Sequence, residues 1–491
     1  MTAPAKTERR LRMSFSIRRP WPPFRAHALL PAILLLCGLM ISGCEEGISR
    51  PGGESVDYVA VDPPAVTLGI GDRFQLGEIV RNPGGFRLPI QALWSSTDPG
   101  VASVDSLGVV TGNGVGTAEI TARIGDKSGS SIVTVDPPAP PPWVQHTCGV
   151  AGVGQFQCWG RGLSGELGLG DRIARSFPTR VPEIEGAVSV SSGAAHTCGL
   201  TSEGDALCWG RGFEGQLGNR QVGEFLTPQT VQGGATFTRL SAGGRHTCGL
   251  TDGGAVRCWG WNVSGQLGNA TTVTLDVPVS VEGGPAGWTD LSAGALHSCA
   301  VGEDERVWCW GENEDGQLGD GTQTDRLVPT AINSELRFRS VSAGLSHSCA
   351  VTTTGAAYCW GDNSRAQIGD GSLTDRPAPA QVSLGIGFER VEVGGGHTCG
   401  LATGGAVYCW GAGGSGEIGD GGSALRGNPT RVDLPAPAFD IFVGNAHSCA
   451  IDTELNAWCW GANGFGQLGS AGGSAARPRL IEGTQFVQVG R

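Results

Sequence analysis

The chain has 491 residues, of which only 16% are charged while 83 are Gly and 28 are Pro. That length supplies two or three domains with full apolar cores and excludes a small stapled peptide, and Gly plus Pro stay below the share of a disordered, low-complexity chain. The formal net charge of −12 becomes −18 beyond residue 43, where 27 Lys and Arg face 45 Asp and Glu with no Lys/Arg run. Such a body repels phosphate backbones, which argues against a nucleic-acid partner.

Residues 1–43 read as a processing signal: six arginines between Arg9 and Arg25 precede the apolar run "ALLPAILLLCGLMISGC". Its apolar core is short for a membrane span. The run ends in Ile41-Ser42-Gly43-Cys44, which resembles the bacterial lipobox and implies an acylated Cys44 at the mature N-terminus. The alternative is an ordinary secretory signal with a chance Cys, and Met13 is an alternative start that gives a more usual signal length. Glu45 and Glu46 leave the choice of membrane open.

Residues 44–55 are poor in apolar side chains and suit a flexible tether. Residues 56–136 then run through short β-type segments, among them "AVTLGI", "RFQLGEIV", "IQALWSS", "GVVTG" and "AEITARIG", separated by Gly, Pro and Asp turns. This is a β-sandwich pattern. The run from Trp94 through "VASVDSLGVVTGNGVGTAEITA" resembles the group 2 bacterial immunoglobulin-like domain, which implies a spacer on a surface protein. It contains no Cys, so its core rests on residues such as Trp94, Val104, Val110 and Ile120. A Pro-rich linker, "PPAPPP" at 137–142, holds the next unit away.

From residue 143 to 491 a repeat dominates. Its first Cys falls at 148, 198, 248, 299, 349, 399 and 449, a period of 50 with one step of 51. Strand-rich units of this length predict the blades of a propeller, with a β-solenoid as the alternative. The closing residues "GTQFVQVGR" copy the strand that precedes other His-Cys blocks, and the first block, "WVQHTCGV", lacks that strand. The C-terminal strand is therefore expected to complete the N-terminal blade and close a ring of seven. With "AGxxHTCGL", "GAVxCWGxNxxGQLGDGT" and a later Pro in each unit, the segment resembles the regulator of chromosome condensation repeat family. The resemblance implies fold more than function, since propellers of this family serve as exchange factors, ubiquitin-ligase parts and secreted inhibitors.

Within each unit two Cys stand ten positions apart: Cys148 and Cys158, Cys198 and Cys208, Cys248 and Cys258, Cys299 and Cys309, Cys349 and Cys359, Cys399 and Cys409, Cys449 and Cys459. A hairpin turn centred near "SEGD" or "TDGG" sets each pair opposite one another with the same side-chain parity, within disulfide reach. An exported chain oxidises such pairs, so seven intrablade disulfides are expected. The rival is zinc, since His196 shares the strand face of Cys198, but a fourth ligand is missing and oxidation comes first. The same parity sets His196 opposite Gly210, where the imidazole has room to bond neighbouring backbone. Each Trp of "CWG" points to the other face and is expected to pack between blades.

Three GxGxxG matches, at 160–165, 210–215 and 411–416, precede no helix and read as blade turns. The loops around Asp320, Asp325, Asp370 and Asp375 lack EF-hand spacing and read as solvated carboxylates. No catalytic set breaks the repeat, and no cofactor or metal is expected. Exchange on a GTPase would need a cytosolic partner and a wedge-like insertion that the even spacing leaves no room for. The expectation is an all-β, lipid-anchored protein of the outer membrane or cell surface: an immunoglobulin-like sandwich followed by a propeller that binds an envelope or extracellular protein or glycan. The variable loops 219–228 and 320–329 are the candidate contacts. An enzyme with a site in the channel or top face, and a purely structural component, are the alternatives.

Overall fold

The computed structural model describes residues 55–68, 73–113, 116–135, 144–152, 154–182 and 184–490. Cys44, the signal, the tether up to residue 54 and the Pro-rich linker lie outside the described residues. Among those described there is strand and turn but no helix.

The N-terminal unit is a sandwich of short strands. Its largest sheet orders Ala65–Leu68, Lys127–Val135, Gly116–Ile124 and Leu93–Ser96, with the first pair parallel. A three-stranded sheet (Arg73–Gln75, Val109–Gly112, Ala102–Val104) and the pair Tyr58–Asp62 with Gly77–Arg81 complete it. Val110 and Ile120 are wholly buried in its core, and Trp94 and Val104 pack against the edge of that core. Alternation along these strands sends one face inward and the other to water, as the period of two requires.

The second unit consists of five four-stranded antiparallel sheets and one seven-stranded sheet. Blade 2 shows the common plan: an inner strand Ala187–Ser192, a second His196–Thr201, a third Ala206–Arg211 and an outer strand Glu224–Thr230. Blades 3 to 6 repeat this order from Phe237, Trp288, Phe338 and Phe388. The recurrent Pro falls in the outer strand, where a missing backbone donor faces no further neighbour.

The seven-stranded sheet is two blades sharing one long strand, Ala475–Val489. Its first half pairs with Asn456–Gly461 as the outer strand of blade 7. Its last residues pair with His146–Ala151 of blade 1, Gly149 opposite Val489 and Ala151 opposite Phe486. The C-terminus therefore supplies the inner strand that blade 1 lacks. Among the described residues the ring has seven blades and is closed, which a solenoid is not.

Cys198 stands opposite Cys208 and His196 opposite Gly210, and the same register recurs in all seven hairpins. Disulfides join Cys148–Cys158, Cys198–Cys208, Cys248–Cys258, Cys299–Cys309, Cys349–Cys359, Cys399–Cys409 and Cys449–Cys459, with Cα atoms 4.0–4.1 Å apart. The sulfurs belong to wholly buried residues. Dithiothreitol added to the folded protein is therefore expected to leave all seven bonds intact, with alkylation and peptide mapping detecting thiols only after denaturation. Replacing one pair, Cys198→Ser with Cys208→Ser, should cost about 3 kcal/mol in a denaturant titration, the chain-entropy value for an eleven-residue loop.

Candidate binding face

A belt of buried polar groups joins the blades and fixes which ends of the strands form a common face. His146 reaches Thr197 of the next blade, and His196–Thr247, His246–Ser298, His297–Ser348, His347–Thr398, His397–Ser448 and His447–Thr147 continue the ring until it closes, at 2.7–2.9 Å from Nε2 to hydroxyl. Each hydroxyl donates in turn to a backbone carbonyl of the preceding blade: Thr197 to Glu166 at 2.8 Å, Ser298 to Gln266 at 2.9 Å. The Trp of each "CWG" donates its Nε1–H to the same carbonyl, as Trp209 does to Glu166 at 2.9 Å. The Trp rings thus lie between blades: Trp209 packs with Cys148, Phe156 and Leu167 of blade 1.

Because each hydroxyl proton is committed to a carbonyl, the oxygen must accept from histidine, which requires the Nε2–H tautomer. Nδ1 of all seven rings is buried without a partner. The imidazole therefore bonds a neighbouring blade's hydroxyl, and the expectation of a backbone partner is corrected: radial packing of the blades sets the next blade's Thr or Ser within hydrogen-bond reach of Nε2. Burial lowers His146, His246, His297, His397 and His447 to about 3 and His196 and His347 to about 4. Gly193 before the His block is obligatory, since a Cβ there would lie 2.5 Å from His196 Cε1 and 2.6 Å from Gly243 O.

Around the axis, the inner strands bring Ser192, Ser241, Ser292, Ser342, Glu392 and Phe442 to a narrow channel of about 80 Å³. That volume holds a few waters and is well short of a small-molecule pocket. The turns that follow each "CWG" lie on the face where the His block begins. Arg161 N bonds Gln145 O at 3.0 Å and Arg211 N bonds Ala195 O at 2.9 Å, so the first residue of each turn sits beside the residue preceding His.

That first position reads Arg161, Arg211, Trp261, Glu312, Asp362, Ala412 and Ala462 around the ring. In blades 2 and 3 it organises a ladder: the Arg211 guanidinium lies 5.1 Å from the Phe213 ring and pairs with Glu214 at 2.8 Å, and Arg245 lies 5.6 Å from Trp261. In blade 1, Arg161 pairs with buried Glu166 at 2.7 Å, and burial still holds the Glu166 carboxyl above the usual range. Across the ring, burial and the neighbouring Glu314, Asp325 and Asp315 charges push Glu312 up to about 7. The face is thus electrically two-sided.

Asp320 and Asp370 are not solvated loop carboxylates. Their side chains are 4% and 9% exposed and pair with Arg326 and Arg376 at 2.6 and 2.7 Å. Burial opposes their ionisation, but hydrogen bonds from Thr322 and Arg326, and from Ser372 and Arg376, hold both below the usual carboxylate range. They accept from Asn313 and Asn363 and brace the loops. Asp325 and Asp375 accept from the backbone N–H of Asn313 and Asn363 at 2.9 and 2.8 Å, completing the brace. Of the candidate loops 219–228 and 320–329, only 219–223 and 320–325 are loop; the remainder belongs to the outer strands beginning at Glu224 and Arg326. Sequence reasoning passed over the position after "CWG", and comparing the seven repeats column by column is the signal that finds it.

The RCC1-like domain matches residues 155–491 and the group 2 bacterial Ig-like domain residues 55–135. Curated proteins yield no match. Among solved structures, the chain is similar to human WBSCR16 at 20% identity, covering 67% of this chain and 94% of that one with a TM-score of 0.62. It is similar to yeast RCC1 (Prp20), solved bound to Kap60, at 21% identity over 70% and 85% of the two chains with a TM-score of 0.60. A structure of Prp20p from Saccharomyces cerevisiae gives 20%, 70%, 87% and 0.60 in the same order. At these identities the likeness is one of fold. Seven disulfides persist in oxidising compartments, and with the Ig-like match they point to an extracytoplasmic protein. A seven-bladed ring matched over residues 155–491 leaves one assignment: this chain belongs to the RCC1-like domain family.

Proposed function

We propose that the protein is a lipid-anchored cell-envelope binding module: Cys44 holds it at a membrane, the Ig-like unit acts as spacer, and the propeller offers its turn face to an envelope or extracellular partner. The observation that carries this reading is where the sequence variation falls. The belt of His, hydroxyl, Trp and disulfide repeats in every blade and is buried, whereas the exposed turns beside it differ from blade to blade. A rigid scaffold with variable exposed turns is how binding residues are presented.

Two experiments test it. Labelling of cells with a palmitate analogue is expected to mark the wild-type protein and not Cys44→Ser; an unlabelled wild type, or equal label on both, would refute the lipid anchor. Photo-crosslinking residues placed in 219–223 and 320–325 of the full-length protein in intact cells should trap a partner from at least one loop. Absence of adducts at both would refute the binding face. Amine-directed reagents are unsuitable because Lys127 is the sole Lys after residue 43.

A further inference from the structure

Three consecutive blades carry an exposed apolar pair in the turn that follows the Cys-Trp-Gly block, its first member at the same position in each and its second one residue earlier in blade 2 than in blades 1 and 3. Leu163 and Ile173 in blade 1 are 50% and 60% exposed, Phe213 and Val222 in blade 2 are 50% and 68%, and Val263 and Val273 in blade 3 are 52% and 60%. The turn brings the two members near each other: Gly212 N–H bonds Gly223 O at 2.7 Å, each the chain neighbour of Phe213 or Val222, and Asn262 Nδ2 bonds Val273 O at 3.1 Å beside Val263. At the first of these positions the other blades place Glu314, Ser364, Gly414 and Gly464. Exposed apolar side chains gathered on one face, as opposed to scattered singly, mark an interaction site.

Charge divides the face along the same line. Segments 161–175, 211–224 and 261–274 with Arg245 hold six arginines against four carboxylates, whereas 312–326 and 362–376 hold three arginines against eight carboxylates. The first set of arginines already pairs with Glu166, Asp171, Glu214 and Glu224 and outnumbers them by two, so the apolar arc is the net-positive part of an acidic protein's turn face. A separate observation points the same way: Gln317 and Gln367 donate their side-chain amides to Glu312 and Asp362, but the equivalent Gln266 is wholly buried with its Nε2 unpartnered, because Trp261 stands where the carboxylate would be. The chemistry missing beside Trp261 is an acidic acceptor.

Resting on the binding-module reading, we propose that blades 1 to 3 dock a protein segment in which acidic side chains flank aliphatic or aromatic ones. The arginines take the carboxylates, the aliphatic pairs take the apolar side chains, and Phe213 and Trp261, already stacked by arginine, serve as rigid anchors. A glycan is the poorer fit, because five of the six exposed apolar residues are aliphatic and offer no aromatic platform.

The test uses full-length protein and a short synthetic peptide alternating Asp/Glu with Leu/Phe, read by fluorescence anisotropy, with a Lys-for-acid counterpart. The acidic peptide is expected to bind at least about tenfold more tightly than the Lys peptide. Phe213→Asp with Val263→Asp should weaken it at least about tenfold, whereas Leu373→Asp, exposed on blade 5 of the same face, should leave affinity within about twofold. All three sites are on the surface, and an unchanged circular dichroism melt verifies the fold. Equal binding of both peptides, or equal loss from Leu373→Asp, would overturn the proposal. In cells, a photo-crosslinker at position 213 should trap a peptide that mass spectrometry maps to an acidic-apolar segment. A glycan, a second copy of this chain, or adducts confined to position 364 would each overturn the docking arc while leaving a binding face; no adduct at any position would overturn both.

Discussion

Mild acid is expected to unfold the propeller steeply, with the melting temperature flat above about pH 7.5 and falling continuously toward pH 4. The cause is the histidine belt. Each ring is neutral in the fold because its Nε2–H is committed to a hydroxyl and its buried Nδ1 has no protein partner, so protonation adds a donor with no protein acceptor. Burial lowers the seven values to about 3 or 4, whereas an unfolded histidine titrates near about 6.5. Below that value the unfolded chain binds protons that the native ring refuses. The belt's stability is thus fully present above about pH 6.5 and drains as pH falls toward the native values.

At pH 5 unfolding should take up about six protons, a slope of roughly 8 kcal/mol per pH unit. Glu312 opposes by about one proton, because its value, raised to about 7, makes the native state the better proton binder between pH 7 and the ordinary carboxylate range. Calorimetry in two buffers of different ionisation enthalpy measures the uptake directly. His297→Gln keeps a donor toward Ser348 without a titrating ring, and should lower the uptake by about one while costing roughly 2 kcal/mol at pH 7.5. A melting temperature constant from pH 7 to 4.5 would show that the rings protonate in place.

Removing residues 484–491 should produce the second large effect. Phe486 is wholly buried, lies 5.4 Å from the Trp159 ring and covers Gly149, where any Cβ would fall 2.7 Å from its ring. The residues around it are the inner strand of blade 1. Without them His146–Ala151 becomes an exposed apolar edge, and the ring opens at the seam between its first and last blades. The truncated protein is expected to lose most of its stability, with limited proteolysis cutting first within residues 144–186. Phe486→Ala alone should cost about 3–5 kcal/mol in a urea titration. A truncated chain with an unchanged urea midpoint would show that the hydrogen-bond belt across the seam, His447 to Thr147 and Trp159 to Gln467 O, closes the ring without the strand.

The repeat explains what was legible beforehand. Parity in a hairpin fixes which side chains oppose one another once the turn is placed, so Cys198 against Cys208 and His196 against Gly210 follow from spacing alone. The orphan strand "GTQFVQVGR" likewise announces closure, because a blade missing its inner strand and a strand missing its blade have one joint solution. Other features depend on neighbours that spacing does not reveal. Asp320 reads as a solvated loop carboxylate until the fold sets Arg326 and Asn313 against it. His196 has no visible partner along its own blade, since Thr247 comes from the next one.

By itself, the sequence determined the strand-rich units, their number, their staples and the way the last strand closes the first blade, because those depend on contacts within a repeat or between identical repeats. Only the tertiary structure decided what the ring presents outward. Bringing seven different turns onto one face gathers Leu163, Phe213 and Val263, each fifty residues from the next, with the six turn-face arginines of blades 1 to 3 that sequence order scatters. Periodicity carries the scaffold, whereas a surface patch is a sum over the departures from periodicity, and which departures become neighbours is set by the radial packing of the blades.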